Sequence, residues 1–184
     1  MLTIISTPET IHGVSFAWKG IEPNDVIGPR TQLELNPVSH LGLTITGDVQ
    51  LKCSECNVSG VLLNFNADEK LLLSPRKTGN WVGIIALEFS APVFSAGARI
   101  GVVSKNSPRP FRGIIRAIET NGKEHIQSFR TQSTNTPDNS ALFLGATSTG
   151  ATARLKKLEF DVEPVIGEPS FKLFAIGSLI YKTA

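Results

Sequence analysis

Both cysteines of the chain stand in "LKCSECNVSG", residues 51–60, as Cys53 and Cys56, a C-x-x-C spacing shared by zinc sites and thiol–disulfide couples. A structural zinc site takes four Cys or His ligands, and one such pair supplies two. The three histidines, His12, His40 and His125, are not in ligand spacing with one another. A redox couple wants its pair at a helix N-terminus, where the dipole lowers the thiol pKa, but this pair falls between two strand-like runs. With Ser54 and Glu55 at the centre of a β-turn, the two Cα atoms would lie within about 7 Å, which permits a disulfide without requiring one. The pair therefore reads as a hairpin turn, with a disulfide or redox-sensitive thiol pair and half of a metal site as the alternatives; no metal residue is assigned.

The other chemistry-bearing residues suit binding better than bond making. Trp18 in "FAWKG" and Trp81 in "TGNW" carry indoles on which the apolar face of a sugar can stack, although core packing is the commoner use of Trp. The loop "SKNSPRPFRG" groups Lys105, Arg109 and Arg112 around Phe111, an arrangement able to hold a phosphate or an acidic sugar by charge-assisted hydrogen bonds. In "TQSTNTPDNS", Asn135, Asp138 and Asn139 offer planar amides and a carboxylate for sugar hydroxyls or calcium, and the same residue types also build turns. No nucleophile elbow, phosphate-cradling glycine loop or paired carboxylate motif is found. Glu88 or Glu119 could serve as a general acid on a sandwich face, but carboxylates on half-wet strands are usually solvated.

A net charge of +2, from 18 basic and 16 acidic residues spread along the chain, provides no field to favour nucleic acid or anionic lipid. No apolar run approaches the ~20 residues of a membrane-spanning helix. "MLTIISTPET" lacks the basic start and apolar core of a secretory signal. The expected location is cytoplasmic if the chain is complete as given, and extracellular if a signal was removed. With 184 residues and 41% hydrophobic content, one β-rich domain spanning 1–184 can bury its own core without staples.

These residues must be positioned by strands, because apolar, β-branched runs of four to ten residues recur between Gly, Pro, Asn and Ser punctuation. The expected strands are 13–18, 31–35, 41–46, 49–53, 59–65, 70–74, 81–90, 98–104, 111–119, 124–130, 141–146, 155–162 and 171–181. Trp81 to Phe89 is apolar on both faces and so central, whereas Leu158, Phe160 and Val162 alternate with Glu159 and Asp161 as in a strand with one wet face. Asn121-Gly122 predicts a type I′ hairpin turn. The prolines are expected at or between strand ends.

The succession "IIALEFSAPVFSAGARIGVV", "IIRAIETNGKEHIQSF", "ALFLGATSTGATARLKKLEFDV" and "FAIGSLIY" resembles a group of largely uncharacterised bacterial β-sandwich modules, many carrying a PEP-CTERM sorting tail. The resemblance runs from about Val14 to Tyr181. It is carried by Phe89 to Val93, a Gly97-Ala98 turn, Thr120 to Gly122, Phe143 to Gly145, Leu155 to Phe160 and Ala175 to Leu179. It implies a layout similar to jelly-roll carbohydrate-binding modules, and glycan binding or adhesion more than catalysis. Gly177 and Ser178 stand where the family carries two Asp, which removes carboxylates able to ligate calcium.

The expected fold is all-β, a two-sheet antiparallel sandwich of jelly-roll type, with an immunoglobulin-like Greek key as the alternative. The expected function is a non-catalytic module that recognises a carbohydrate or cell-surface ligand through its loops, with Trp18, Trp81, Arg109, Asn135 and Asp138 as contacts. A self-assembling protein using strand edges and patches such as "LLLS", hence a homo-oligomer, is the second reading, and a glycoside-active enzyme is the third. No cofactor is expected, calcium being the one alternative.

Overall fold

The computed structural model describes residues 1–28, 30–38, 40–47, 51–55, 64–75, 83–103, 108–134, 136–166 and 173–183. Among these, nine strands form one antiparallel sheet. They are β1 (Leu2–Ile5), β2 (Val14–Phe16), β3 (Val26–Ile27), β6 (Leu51–Glu55), β7 (Lys70–Pro75), β9 (Ser95–Val102), β12 (Leu142–Ser148), β14 (Leu173–Ile176) and β15 (Leu179–Lys182). Six form the other: β4 (Thr31–Asn36), β5 (Leu41–Gly47), β8 (Ile85–Val93), β10 (Arg109–Glu119), β11 (Glu124–Ser133) and β13 (Leu155–Pro164). A single 3-10 turn, Pro8–Thr10, precedes β2.

From β7 onward the chain passes back and forth between the sheets. The resulting four-strand orders, β7-β14-β9-β12 and β8-β13-β10-β11, are two interleaved Greek keys, a jelly roll. This order excludes the immunoglobulin-like alternative, in which one sheet holds the first, second, fifth and fourth strands. β6 and β3 extend the first sheet, β5 and β4 the second, and β1 borders β12.

The core lies between the sheets and is set by period-two alternation. Leu158, Phe160 and Val162 of β13 turn inward against Ile85, Leu87 and Phe89 of β8 and Ala96, Ala98, Ile100 and Val102 of β9. Each fully buried Leu, Ile or Phe contributes roughly 1.5–3 kcal/mol by leaving water. Outward-facing Arg112, Arg116, Glu159 and Glu163 form a charged surface on the six-stranded sheet, with Arg112–Glu163 at 3.8 Å and Arg116–Glu159 at 3.6 Å. The half-exposed Arg112–Glu163 pair adds little stability, whereas Glu159 is the more buried partner of the second pair.

Several local expectations are corrected. Ser54 and Glu55 are not a turn centre; they extend β6, where Ser54 pairs with Leu71 and Glu55 with Lys70. Gly97 and Ala98 lie inside β9 opposite Gly145 and Leu144 rather than in a turn; the glycine leaves room for the Phe143 ring of β12 and the backbone beside it, and Ala98 faces the core. The hairpin at Asn121-Gly122 has a positive φ only at Gly122 (83°), and Glu119 N donates to Lys123 O. It is thus a three-residue loop with a glycine bulge rather than type I′. Pro92 and Pro110 fall inside strands. Pro92 is tolerated because the β8–β13 register shifts beside it, and Lys156 Nζ donates to the Ser90 carbonyl of that irregular stretch at 3.2 Å. β1 and β3 join the ladders without having been expected, being short and weakly patterned. The strand expected at 81–90 begins at Ile85, and that expected at 171–181 is broken at Gly177-Ser178.

Candidate functional site: a groove on the nine-stranded sheet

The break at Gly177-Ser178 organises the outer face of the nine-stranded sheet. β14 pairs with β9 through Ile100 to Val102 and β15 pairs with it through Ser95 to Gly97, so the closing strand must step over Arg99. Gly177 N donates to the Arg99 carbonyl at 3.0 Å, and the Trp18 indole donates through Nε1 to the Gly177 carbonyl at 3.1 Å. From the loop before β7, Glu69 accepts Ser178 N at 2.7 Å on Oε1 and Asn66 N at 3.3 Å on Oε2. A Cβ at position 177 would overlap Glu69 Oε1 and press on Phe65, so a larger residue there would displace the Glu69 carboxylate from its present position.

Two loops lean on this face. Phe65 and Ala141 pack with Leu71 and Ala175 into a second, smaller apolar cluster outside the main core. The loops are joined by Ala141 N to the Asn64 carbonyl at 2.8 Å and by Asn64 Nδ2 to Ser140 Oγ at 3.2 Å. Beside them the Phe143 ring lies over Gly97 and Gly145; a Cβ at Gly97 would collide with the ring, and one at Gly145 with the Ala96 carbonyl.

Between these loops and β2 runs a groove of about 760 Å³. Its floor is Ser15, Ala17, Arg99, Phe143, Ser178 and Ile180, and its walls include Lys19, Asn66, Asp68 and Asn139. The polar groups divide into two sets. Arg99 donates to the Ala141 carbonyl at 2.9 Å, Lys70 to the Ile21 carbonyl at 2.9 Å, and Glu69 is held by backbone amides, so all three are engaged in holding the groove together. Lys19 and Asp68 are exposed and, among the described residues, make no ion pair.

Of the residues anticipated from sequence, Trp18 is a correction. Its ring is fully buried, packed edge-to-face with Phe16 at 5.9 Å, and cannot serve as a stacking platform. It acts from behind the groove, by fixing Gly177. Asp138 neighbours Asn139 of the wall, but its carboxylate accepts Ser140 N at 3.0 Å, and hydrogen bonds from the Ser140 side chain and backbone hold its pKa below the ordinary value. Arg109 opens β10 opposite Ser133 and does not line the groove; Phe111 is a core residue. Trp81, Asn135, Lys105 and Cys56 lie outside the described residues, as does any link between Cys56 and Cys53 of β6. Lys19, Asn66, Asp68 and Ser178 were missed, since in sequence they read only as turn and strand-end residues.

The two carboxylates considered for acid catalysis are committed elsewhere. Glu88 is half-exposed, 3.9 Å from Lys156. Glu119 is buried and accepts from His125 Nε2 at 2.7 Å and Leu2 N at 3.2 Å. The His125 hydrogen bond, opposed by desolvation and aided by the chain's N-terminal charge, lowers its pKa, the direction opposite to that of a general acid.

No protein-family model and no curated protein matches the chain. Among solved structures it is similar to the C-terminal family 22 carbohydrate binding module of Clostridium thermocellum Xyn10B, at 14% identity over 76% of this chain and 85% of that one, with a TM-score of 0.38. It is also similar to a xylan-binding domain of Paenibacillus barcinonensis Xyn10C, at 11% identity over 90% and 99% of the two chains, with a TM-score of 0.34. A third likeness is to the enzymatically active domain of tailspike protein 4 of bacteriophage CBA120, at 15% identity and a TM-score of 0.34, covering 82% of this chain and 20% of that one. The jelly-roll assignment rests on the strand order itself.

Proposed function

We propose that this chain is a non-catalytic carbohydrate-binding module that seats a glycan segment in the groove on the nine-stranded sheet. The observation that carries the proposal is the groove's division of labour. Arg99, Lys70 and Glu69 are locked into its framework, while Lys19 and Asp68 are exposed and line the groove together with Ser15, Ala17, Ser178 and Ile180. A cation, a carboxylate and small hydroxyls around an apolar floor suit a polyhydroxylated ligand, whose hydroxyls both donate and accept and whose C–H faces seek apolar contact. Glycoside hydrolysis needs two cooperating carboxyls. In this groove Glu69 has both oxygens on backbone amides, which leaves Asp68 without a partner.

The ordered motifs from Val14 to Tyr181 support membership of the bacterial sandwich modules found in PEP-CTERM-tailed proteins, and one domain over 1–184 follows from the same reading. The test is affinity electrophoresis in gels cast with soluble plant, bacterial and algal polysaccharides. Retardation by at least one polysaccharide is expected, with Lys19→Ala and Asp68→Ala each weakening it about tenfold, equivalent to about 1.4 kcal/mol. Unretarded migration in every gel, or retardation indifferent to both substitutions, would overturn the proposal.

A further inference from the structure

β11 is the border strand of the six-stranded sheet and, among the described residues, pairs only with β10. Because Glu119 N bonds Lys123 O, the hydrogen-bonded pairs of this antiparallel ladder fall at Ala117–His125, Ile115–Gln127, Gly113–Phe129 and Phe111–Thr131. The backbone N–H and C=O groups of Glu124, Ile126, Ser128 and Arg130 therefore point away from β10, along a ten-residue edge. Natural sheets usually cover or interrupt such an edge. Here it is long, carries Ile126 at 57% exposure, and contains neither proline nor glycine.

The same four residues are complementary to themselves. In an antiparallel pair of β11 strands related by a two-fold axis at Gln127, Glu124 lies opposite Arg130 of the second copy and Ile126 opposite its Ser128. The parity is the required one, since the residues with free backbone groups face each other and the ladder closes with hydrogen bonds on both sides of the axis. Arg130 stands opposite Arg112 within its own sheet, an unfavourable like-charge pair, while Arg112 is satisfied by Glu163 at 3.8 Å. Among the described residues Arg130 has no ion pair. Glu124, only loosely held by Arg116 at 3.8 Å and half-exposed, is free to reach it across the axis.

We propose that β11 is a homodimerisation edge, at which two copies of this chain join their six-stranded sheets into one continuous antiparallel sheet. This inference is independent of the glycan reading, since the groove lies on the other sheet. One strand pair makes an interface at or below the low end of stable sizes, about 1,200 Å², so the dimer dissociates on dilution.

The test is sedimentation equilibrium over a wide concentration range, with thermal unfolding as a check on the fold. The wild-type chain is expected to show a monomer–dimer equilibrium. Glu124→Arg and Arg130→Glu should each place like charges opposite one another and weaken dimerisation at least tenfold. Mixing the two variants should restore a dimer, because each then meets its complement, and the double variant should dimerise with itself. Ser128→Pro, which removes an edge N–H without touching the β10 ladder, should also give a monomer. A wild-type chain that stays monomeric at its solubility limit, or a dimer unaffected by the charge variants and by Ser128→Pro, would overturn the proposal.

Discussion

Gly177 shows how a single residue shapes the candidate site. Its missing Cβ admits Glu69, its amide and carbonyl are held by Arg99 and Trp18, and the following amide of Ser178 is capped by the same Glu69. The closing strand is broken there by specific bonds, and the break exposes Ser178 on the groove floor. Trp18→Phe keeps most of the ring's apolar volume but deletes the donor to the Gly177 carbonyl. Leaving a buried acceptor unpaired costs about 1–3 kcal/mol, so urea unfolding should show a stability loss in that range. A loss near zero would mean that the indole hydrogen bond does not fix the strand break.

At the scale of elements, the N-terminal strand depends on the β10–β11 hairpin. Glu119 of β10 binds Leu2 N of β1 and His125 of β11, while Thr149 N holds the Met1 carbonyl at 2.9 Å. The folded pKa of Glu119 is depressed, so its contribution is fully present above the unfolded carboxylate value, about 4.3, and is lost as pH falls through the lower folded value. Melting temperatures measured from about pH 6 to about pH 3 should therefore fall more steeply for the wild-type chain than for Glu119→Gln. Parallel curves would show that this carboxylate does not anchor the strand. Alternation made the core-facing side of β13 and β8 legible in sequence, because Leu158, Phe160, Leu87 and Phe89 repeat every second residue. The hairpin's turn type was not legible, since Asn-Gly fits both a two-residue loop and the three-residue loop that Lys123 selects by pairing with Glu119. Nor was the fate of Trp18, whose burial depends on Gly177, 159 residues away in sequence.

For the whole molecule, the all-β class was readable from strand spacing and the jelly-roll layout only as an implication of the family resemblance, while the location of the groove was not legible at all. Sequence reasoning places function on sandwich loops and rims, and so favours Arg109 and Asp138. The fold instead lets two loops lean over one sheet and build walls around a face whose glycines and small residues read as unremarkable strand positions. The proposed binding groove lies on the nine-stranded sheet and the proposed dimer edge, β11, on the six-stranded one, so binding and assembly are proposed on different sheets. The most direct test of this division is chemical-shift mapping of the isotope-labelled protein titrated with an oligosaccharide cut from whichever polysaccharide retards it. Amide shifts are expected to cluster on Ser15, Ala17, Lys19, Asn66, Asp68, Ser178 and Ile180, with the six-stranded sheet unmoved. Shifts concentrated on Arg109, Asp138 and the rim, with the groove residues silent, would contradict that division.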